Sequence, residues 1–392
     1  MNRNKKICFV TNSLAMGGTE HHLAQILPAL KRRGWDVQLY LLSKELSLSP
    51  LLQESKVPFF TPPWYISSRC SSKIVKKIIL LMNSATSFIW LVQQFVKKPF
   101  DIYHFFLPQA YIVGMLACIV LQIKAPIIMS RRSLNNYQKK HKLLAWIECQ
   151  LHKRCTKILG NSKKIIKQLQ EEENVPIQKL ELIYNGVSLS KEISVFEKKE
   201  LLHRFGIKDS ENPLLFLMVA NLYPYKNHYL LLETLFSIRK QLPPTWYLLC
   251  VGEDKGTLSS LQQLSKELNF EKNIKWLGIQ GGVKSIWQLA DIGILCSNEE
   301  GFANVIVEGM AAARCMIVTD VGGNKEAVEN GKTGIVVPAN DKILLGAAII
   351  ELAADNEKRI KMGQAGRARV EKFFTFENCI NQYELFYSQL LH

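Results

Sequence analysis

The sequence predicts an α/β protein of two parallel-sheet domains, and three observations carry that prediction. Short apolar runs recur at residues 7–11, 37–42, 127–130, 214–220, 246–252, 274–277, 292–296, 316–319 and 334–337. Each is apolar on consecutive positions, the pattern of a strand buried on both faces, and helix-sized segments separate them. A polar, charged stretch at 188–213 is poor in strand signals and divides the series in two. The third observation is size: 392 residues, 47% of them hydrophobic, are enough for two domains of ordinary dimensions with separate cores.

Taken in order, the first run leads into the loop NSLAMGG and a helix with Thr19 as its expected N-cap. Pro28 lacks an N–H and is expected to kink or break that helix near Leu27. Gly34 reads as a C-cap. Residues 46–77, with Pro50, Pro58, Pro62 and Pro63, read as irregular. Residues 78–96 carry no charge and approach the length of a membrane span. Asn83, Ser84, Thr86, Ser87, Gln93 and Gln94 make them too polar for one, so an amphipathic or buried helix is expected. Residues 102–123 are broken by Pro108 and Gly114 into strand, loop and helix. The last segment places Ile380, Tyr383, Phe386 and Leu390 at helical spacing.

Charge is unevenly placed. Residues 1–190 hold 27 Lys and Arg against 10 Asp and Glu, whereas the remainder hold 23 against 24. The basic excess favours an anionic partner, whether a membrane surface, a phosphorylated lipid or a polyanion. Lysines at 73, 76, 77, 97 and 98 flank the apolar segment 78–96, an arrangement compatible with lying on an anionic bilayer. No nucleic acid partner is expected, because no nucleic-acid-binding motif accompanies the charge. Nine cysteines stand singly, with no CxxC pair and no metal-ligand spacing, and MNRNKKICFVTNS lacks the apolar region of a signal peptide. The expectation is a cytoplasmic protein, peripheral at the inner face of the plasma membrane.

The stretch CSNEEGFANVIVEGMAAA, 296–313, concentrates the chemistry. A strand runs into a glycine-containing turn and then a helix, whose free N–H groups and positive dipole end suit an anion such as phosphate at 302–305. Glu300 precedes the helix, and Glu308 lies one turn in, on the face of Asn304. Read alone, these carboxylates serve equally well to complement the helix dipole or to accept sugar hydroxyls.

Glu300 and Glu308, with seven residues between them in EGFANVIVE, resemble the E-x7-E signature of retaining GT-B glycosyltransferases of the group 1, family 4 type. Further landmarks extend the resemblance along nearly the whole chain: MGGTE at 16–20, KILGNSK at 157–163, IYNGV at 183–187, NLYPYKN at 221–227 and VGGNKE at 321–326. The resemblance implies two Rossmann-like domains facing a central cleft. Residues 1–190 would bind the acceptor, 191–374 the nucleotide-sugar, and 375–392 would form a helix crossing back to the first domain.

The resemblance also implies roles. Lys226 sits where the family's R-L-x-P-x-K pattern places the cation for the leaving diphosphate, although Asn221 replaces the pattern's arginine. Glu300 would meet the donor sugar and Glu308 the ribose. Gly17, Gly18, Asn221, Gly301, Phe302, Ala303, Asn304 and Val305 complete the expected donor-binding set. His104 corresponds to a recurrent family position, so the catalytic set is Lys226, Glu300 and His104. Many relatives place a histidine near 131–133, where this chain has Arg131 and Arg132, candidates for acceptor or phosphate binding. No cofactor or metal is expected: the substrate is a UDP- or GDP-linked sugar, and no D-x-D triplet occurs. The expected acceptor is a lipid-linked or polysaccharide intermediate. Rival readings are a nucleotide-sugar 2-epimerase or hydrolase on the same fold, and a non-enzymatic membrane- or polyanion-binding protein.

Overall fold

The computed structural model describes residues 5–15, 17–67, 72–189, 192–208 and 212–391. It divides into two units, Met1–Tyr184 with Cys379–His392, and Asn185–Asn378. Of the expected glycine loop, Met16 lies outside the described residues.

The first unit runs β1 (Lys6–Thr11), α1 (Gly18–Arg32), β2 (Asp36–Leu41), α2 (Ser49–Glu54), β3 (Phe59–Phe60), α3 (Lys73–Lys97) and β4 (Ile102–Phe106). It continues through α4 (Pro108–Val120), β5 (Ile127–Arg131), α5 (Asn136–Lys140), α6 (Lys142–His152), β6 (Lys157–Gly160), α7 (Lys163–Glu171) and β7 (Leu180–Leu182). Its strands form a parallel sheet in the order β3-β2-β1-β4-β5-β6-β7. The order turns back between β1 and β4, and ligand crevices of such sheets open at that point, beyond the carboxyl ends of the strands. There the Ala110 N–H donates to Asn12 Oδ1 at 3.1 Å, and Leu107 caps α4 with φ of 68°, a strained value for a residue with a branched side chain.

β1, β4 and β5 are buried along nearly their whole length, which explains their unbroken apolar runs. α4 lies so close to the sheet that a Cβ at Gly114 would overlap the Phe105 ring. α3 packs on α4, and α4 on α6, as one helical layer.

The second unit contains α8 (Val195–Arg204), β8 (Leu214–Val219), α9 (His228–Ile238), β9 (Trp246–Val251), α10 (Leu258–Glu267), β10 (Ile274–Gly278) and α11 (Val283–Leu289). Then follow β11 (Ile292–Leu295), α12 (Asn304–Ala311), β12 (Cys315–Thr319), α13 (Asn324–Ala327), β13 (Gly334–Val337), α14 (Lys342–Ala354) and α15 (Asn356–Phe373). The sheet is again parallel, in the order β10-β9-β8-β11-β12-β13, and turns back between β8 and β11. The final helix, α16 (Phe376–Leu390), adds its residues from Cys379 onward to the first unit. There Tyr383 and Tyr387 pack on His22, Phe9 and Trp35.

Several local expectations are corrected. α1 starts at Gly18 with Gly17 as N-cap, not Thr19, and continues through Pro28 to Arg32 without a break. Burial of Pro28 among the apolar side chains of α1 holds the helix together where one backbone hydrogen bond is missing. Residues 46–77 include α2 and the edge strand β3. The dividing stretch 188–213 contains α8, capped by the Ser194 hydroxyl, which accepts from the Glu197 N–H at 3.1 Å.

Candidate active site

Because the second sheet turns back between β8 and β11, the loops leaving these two strands share one crevice. Lys226 comes from the first loop and Glu300 from the second. The Lys226 ammonium donates to Glu300 Oε1 at 2.6 Å, with 16% and 10% of the two side chains exposed. Around them the loops are tied by backbone contacts: the Asn298 N–H donates to the Tyr225 carbonyl at 2.7 Å. Cys296 Sγ lies 3.3 Å from the Asn227 carbonyl oxygen. The Tyr225 ring lies 5.2 Å from Lys226 Nζ and stacks on Tyr223 at 5.4 Å between centroids. Burial, then the Glu300 charge, push the Tyr225 phenol up to about 12, so it stays a hydrogen-bond donor at neutral pH.

The turn before α12 is fixed by its neighbour in the β12 to α13 loop. The Gly323 N–H donates to the Gly301 carbonyl at 2.8 Å. Gly322 has φ of +54°, and a Cβ there would overlap the Glu300 carbonyl, so only glycine fits. The N-cap of α12 is Ala303, which brings no side-chain oxygen to the first amides. An anion at this end would therefore meet backbone N–H groups. The Phe302 and Ala303 side chains are buried, Phe302 against Phe374 at 5.6 Å, so this turn offers its backbone. Val305 is half-buried, and Asn304 Oδ1 accepts from Asn185 Nδ2.

Glu308 stands one turn into α12, and burial raises its carboxyl above the usual range, opposed by Trp287 and Lys284. The Trp287 indole sits where Gly293 and Gly309 leave room, since a Cβ at either would crowd it. Its N–H is buried and faces the Glu308 carboxylate. Asn221 Oδ1 accepts from the Glu253 N–H at 3.0 Å, so this residue braces the loop after β9. Asn324 is buried and donates to the Thr319 carbonyl at 3.1 Å, while Lys325 pairs with Asp320 at the surface.

In the first unit, Gly17 and Gly18 open α1 beside the crevice of that sheet. A Cβ at Gly17 would overlap the Glu20 carboxylate, whereas Gly18 borders open space. Burial raises the Glu20 carboxyl. Arg132 donates to the Tyr383 hydroxyl and lies within electrostatic range of Glu20, His22 and His104.

Two expected site residues are corrected by burial. His104 is fully buried, with Nδ1 2.8 Å from Tyr387 Oη and Nε2 2.8 Å from Ser130 Oγ. Both ring nitrogens are engaged, so His104 is a core histidine rather than a catalytic one. Arg131 is the last residue of β5, and its partners differ from those of Arg132. Its guanidinium is 3% exposed and pairs with Glu173 at 2.9 Å and Glu148 at 3.4 Å. Burial opposes its charge, but those carboxylates outweigh burial and raise its pKa. Tyr137 and Gln138 donate to Glu148, and His152 to Glu173, closing a buried network that an acceptor cannot reach.

Tyr225, Trp287 and Tyr383 were not among the expected site residues. An aromatic in an apolar helix such as KSIWQLA carries no periodic signal that separates a site neighbour from core. Only Tyr225, next to the lysine in NLYPYKN, had a positional cue. Among the described residues no group of three or more His, Cys, Asp or Glu side chains is placed to hold a metal ion.

The two sheets define the GT-B class of glycosyltransferase folds. Residues 200–369 match the family model described as glycosyl transferases group 1, and residues 16–191 match that of glycosyltransferase family 4. The chain belongs to the group 1 glycosyltransferases. An N-acetyl-alpha-D-glucosaminyl L-malate synthase of Bacillus anthracis is 28% identical over 219 residues, 55% of each chain, so the match spans about half of that relative. A Campylobacter jejuni 4-alpha-N-acetylgalactosaminyltransferase acting on a diphospho-undecaprenol acceptor is 23% identical over 390 residues, 94% of this chain and 96% of that one. The structure of Anabaena HepE in complex with UDP-glucose superposes with a TM-score of 0.82, covering 98% of this chain and 99% of that one at 20% identity. At that identity the likeness speaks for the fold.

Proposed function

We propose that the chain is a retaining hexosyltransferase that moves a sugar from a UDP- or GDP-linked donor to a lipid-linked or polysaccharide acceptor in cell-surface glycan biosynthesis. It works without a metal, in the cytoplasm and peripheral to the inner face of the plasma membrane. The observation that carries this reading is the Lys226–Glu300 pair at the switch point of the second sheet, beside a helix start with no side-chain cap. The Campylobacter relative's diphospho-undecaprenol acceptor supports the lipid-linked class.

Transfer breaks the bond between the anomeric carbon and the diphosphate oxygen. Negative charge grows on the leaving group as the sugar becomes oxocarbenium-like. A preorganised donor aimed at that charge contributes ~10²- to 10³-fold in rate. Lys226 and the amides at the start of α12 are the donors in this reading. Glu300 accepts from sugar hydroxyls and Glu308 from the ribose.

The test is a thermal-shift screen of UDP- and GDP-sugars, since a ligand of the folded state raises its melting temperature. It is followed by product analysis with and without a polyprenyl-diphosphate glycan. Binding and acceptor-dependent transfer support the reading. Donor consumption without acceptor points to the epimerase or hydrolase, and no nucleotide affinity points to the non-enzymatic rival.

A further inference from the structure

The helical layer of α3, α4 and α6 presents apolar side chains to water, and α3 does so most. Over residues 74–82 every residue except the half-buried Ile79 is exposed, with Ile74 at 73% and Leu81 at 64%. Burial starts at Asn83 and recurs at Ser87, Trp90, Leu91 and Phe95. α3 is therefore rooted by its C-terminal half, and its N-terminal half projects.

Asn83 does more than mark the boundary. Its side chain accepts from the Ile66 N–H and donates to the Ile66 carbonyl, both at 3.0 Å. This two-bond clamp holds Trp64, 67% exposed, and Ile66, 45% exposed, on the chain segment fastened to α3 where it begins to project. Val120 of α4 and Trp146 of α6 extend the apolar surface of the same layer.

Charge selects the occupant. Between Lys56 and Gln170 the chain has 19 Lys and Arg against two acids, Asp101 and Glu148, and Glu148 is buried in the Arg131 network. Lys76 and Lys77 lie in the projecting half itself. An apolar helix end studded with lysines suits an anionic lipid surface, where each basic residue near the headgroups contributes about 1 kcal/mol.

Length decides how deep it goes. α3 as a whole is long and apolar enough to cross a membrane. Its rooted half is packed into the unit, though, and residues 74–82 at about 1.5 Å each extend roughly 14 Å, under half of a ~30 Å hydrocarbon core.

We propose that the projecting half of α3, with Trp64 and Ile66 clamped beside it, inserts into the headgroup and upper acyl zone of an anionic bilayer without spanning it. This holds whether or not the chain transfers a sugar.

The test uses the full chain with vesicles of equimolar phosphatidylglycerol and phosphatidylcholine, against phosphatidylcholine alone. Expected are co-sedimentation with the anionic vesicles and a blue shift of Trp64 emission, isolated by difference against Trp64→Phe. Ile78→Ser with Leu81→Ser lowers the partition coefficient by ~100-fold. Lys76→Gln with Lys77→Gln lowers it by ~30-fold at low salt. Lys198→Gln with Lys199→Gln, in the second unit, leaves it unchanged. All these positions except Trp64 are tested at unchanged melting temperature. The proposal is overturned if the wild-type chain ignores anionic vesicles, if Trp64 emission does not move, or if the paired variants bind like the wild type. It is equally overturned if light scattering shows a dimer that Ile78→Ser with Leu81→Ser dissolves, since a second copy then covers the face.

Discussion

Lys226 and Glu300 are 74 residues apart in the chain, yet their side chains meet at 2.6 Å. β8 and β11, the strands that deliver them, are neighbours at the one place where the second sheet reverses its order. The pair is thus a product of topology, which brings a cation and a carboxylate together in one crevice.

Lys226→Ala is expected to lower turnover by ~10²- to 10³-fold. Breaking a half-buried pair also leaves Glu300 unpartnered, so some stability is lost with it. Lys226→Met with Glu300→Gln recovers the melting temperature but not transfer. Steady-state rates set beside thermal melts check this, and near-normal transfer by the single variant counts against the role of Lys226.

Glu308→Gln is expected to weaken nucleoside diphosphate binding by ~10- to 100-fold, the scale of one hydrogen bond to a charged group. Calorimetry with the binding nucleotide and its 2′-deoxy form separates ribose recognition from a general effect. The wild type discriminates between the two and the variant does not.

Arg131→Met leaves Glu148 and Glu173 buried without their cation. A loss of about 3–5 kcal/mol in denaturant-induced unfolding of the first unit is expected. Arg132→Met, on the more exposed side of the same strand end, costs less. Equal losses for both would contradict the burial assigned to Arg131.

His22 and His104 are held neutral chiefly by burial, with Arg132 adding to the effect. Burial and Lys226 lower His228 from 6.5 to about 4. The unfolded chain binds these protons more readily, so stability is fully present above pH 6.5 and falls as pH drops towards 4. For His228 the loss across that window is on the order of 3 kcal/mol. Melting temperatures from pH 7 to 5 should fall, and His228→Phe should flatten the second unit's part of the decline.

Gly322→Ala is expected to disturb the turn before α12, because the new methyl meets the Glu300 carbonyl and the backbone has φ of +54°. Stability falls by roughly 1–3 kcal/mol, and donor affinity falls with it. Gly18→Ala, bordering open space, serves as the control and leaves stability nearly unchanged.

Much of this was legible in the residues. Buried parallel strands such as β1, β8 and β11 declare themselves as unbroken apolar runs, and the glycine turns around EEG and VGG mark where backbones approach closely. His104 and Arg131 misled because a motif position records chain order and not the side of the sheet a side chain takes. Their burial depends on Tyr387 and Glu173, 283 and 42 residues away. The α8 helix was hidden by its polarity, whereas the segment 78–96 read as an amphipathic or buried helix, and α3 is exposed over its first turns and packed from Asn83 onward.

Tyr383 and Tyr387, which shelter His22 and His104, are synthesised only after every residue of the second unit. The first unit therefore cannot close its interior until the second has been synthesised. Until Tyr383 and Tyr387 emerge from the ribosome, the His22 and His104 rings lack the hydroxyls that partner them, so the first unit is begun before the second and completed after the second has been made.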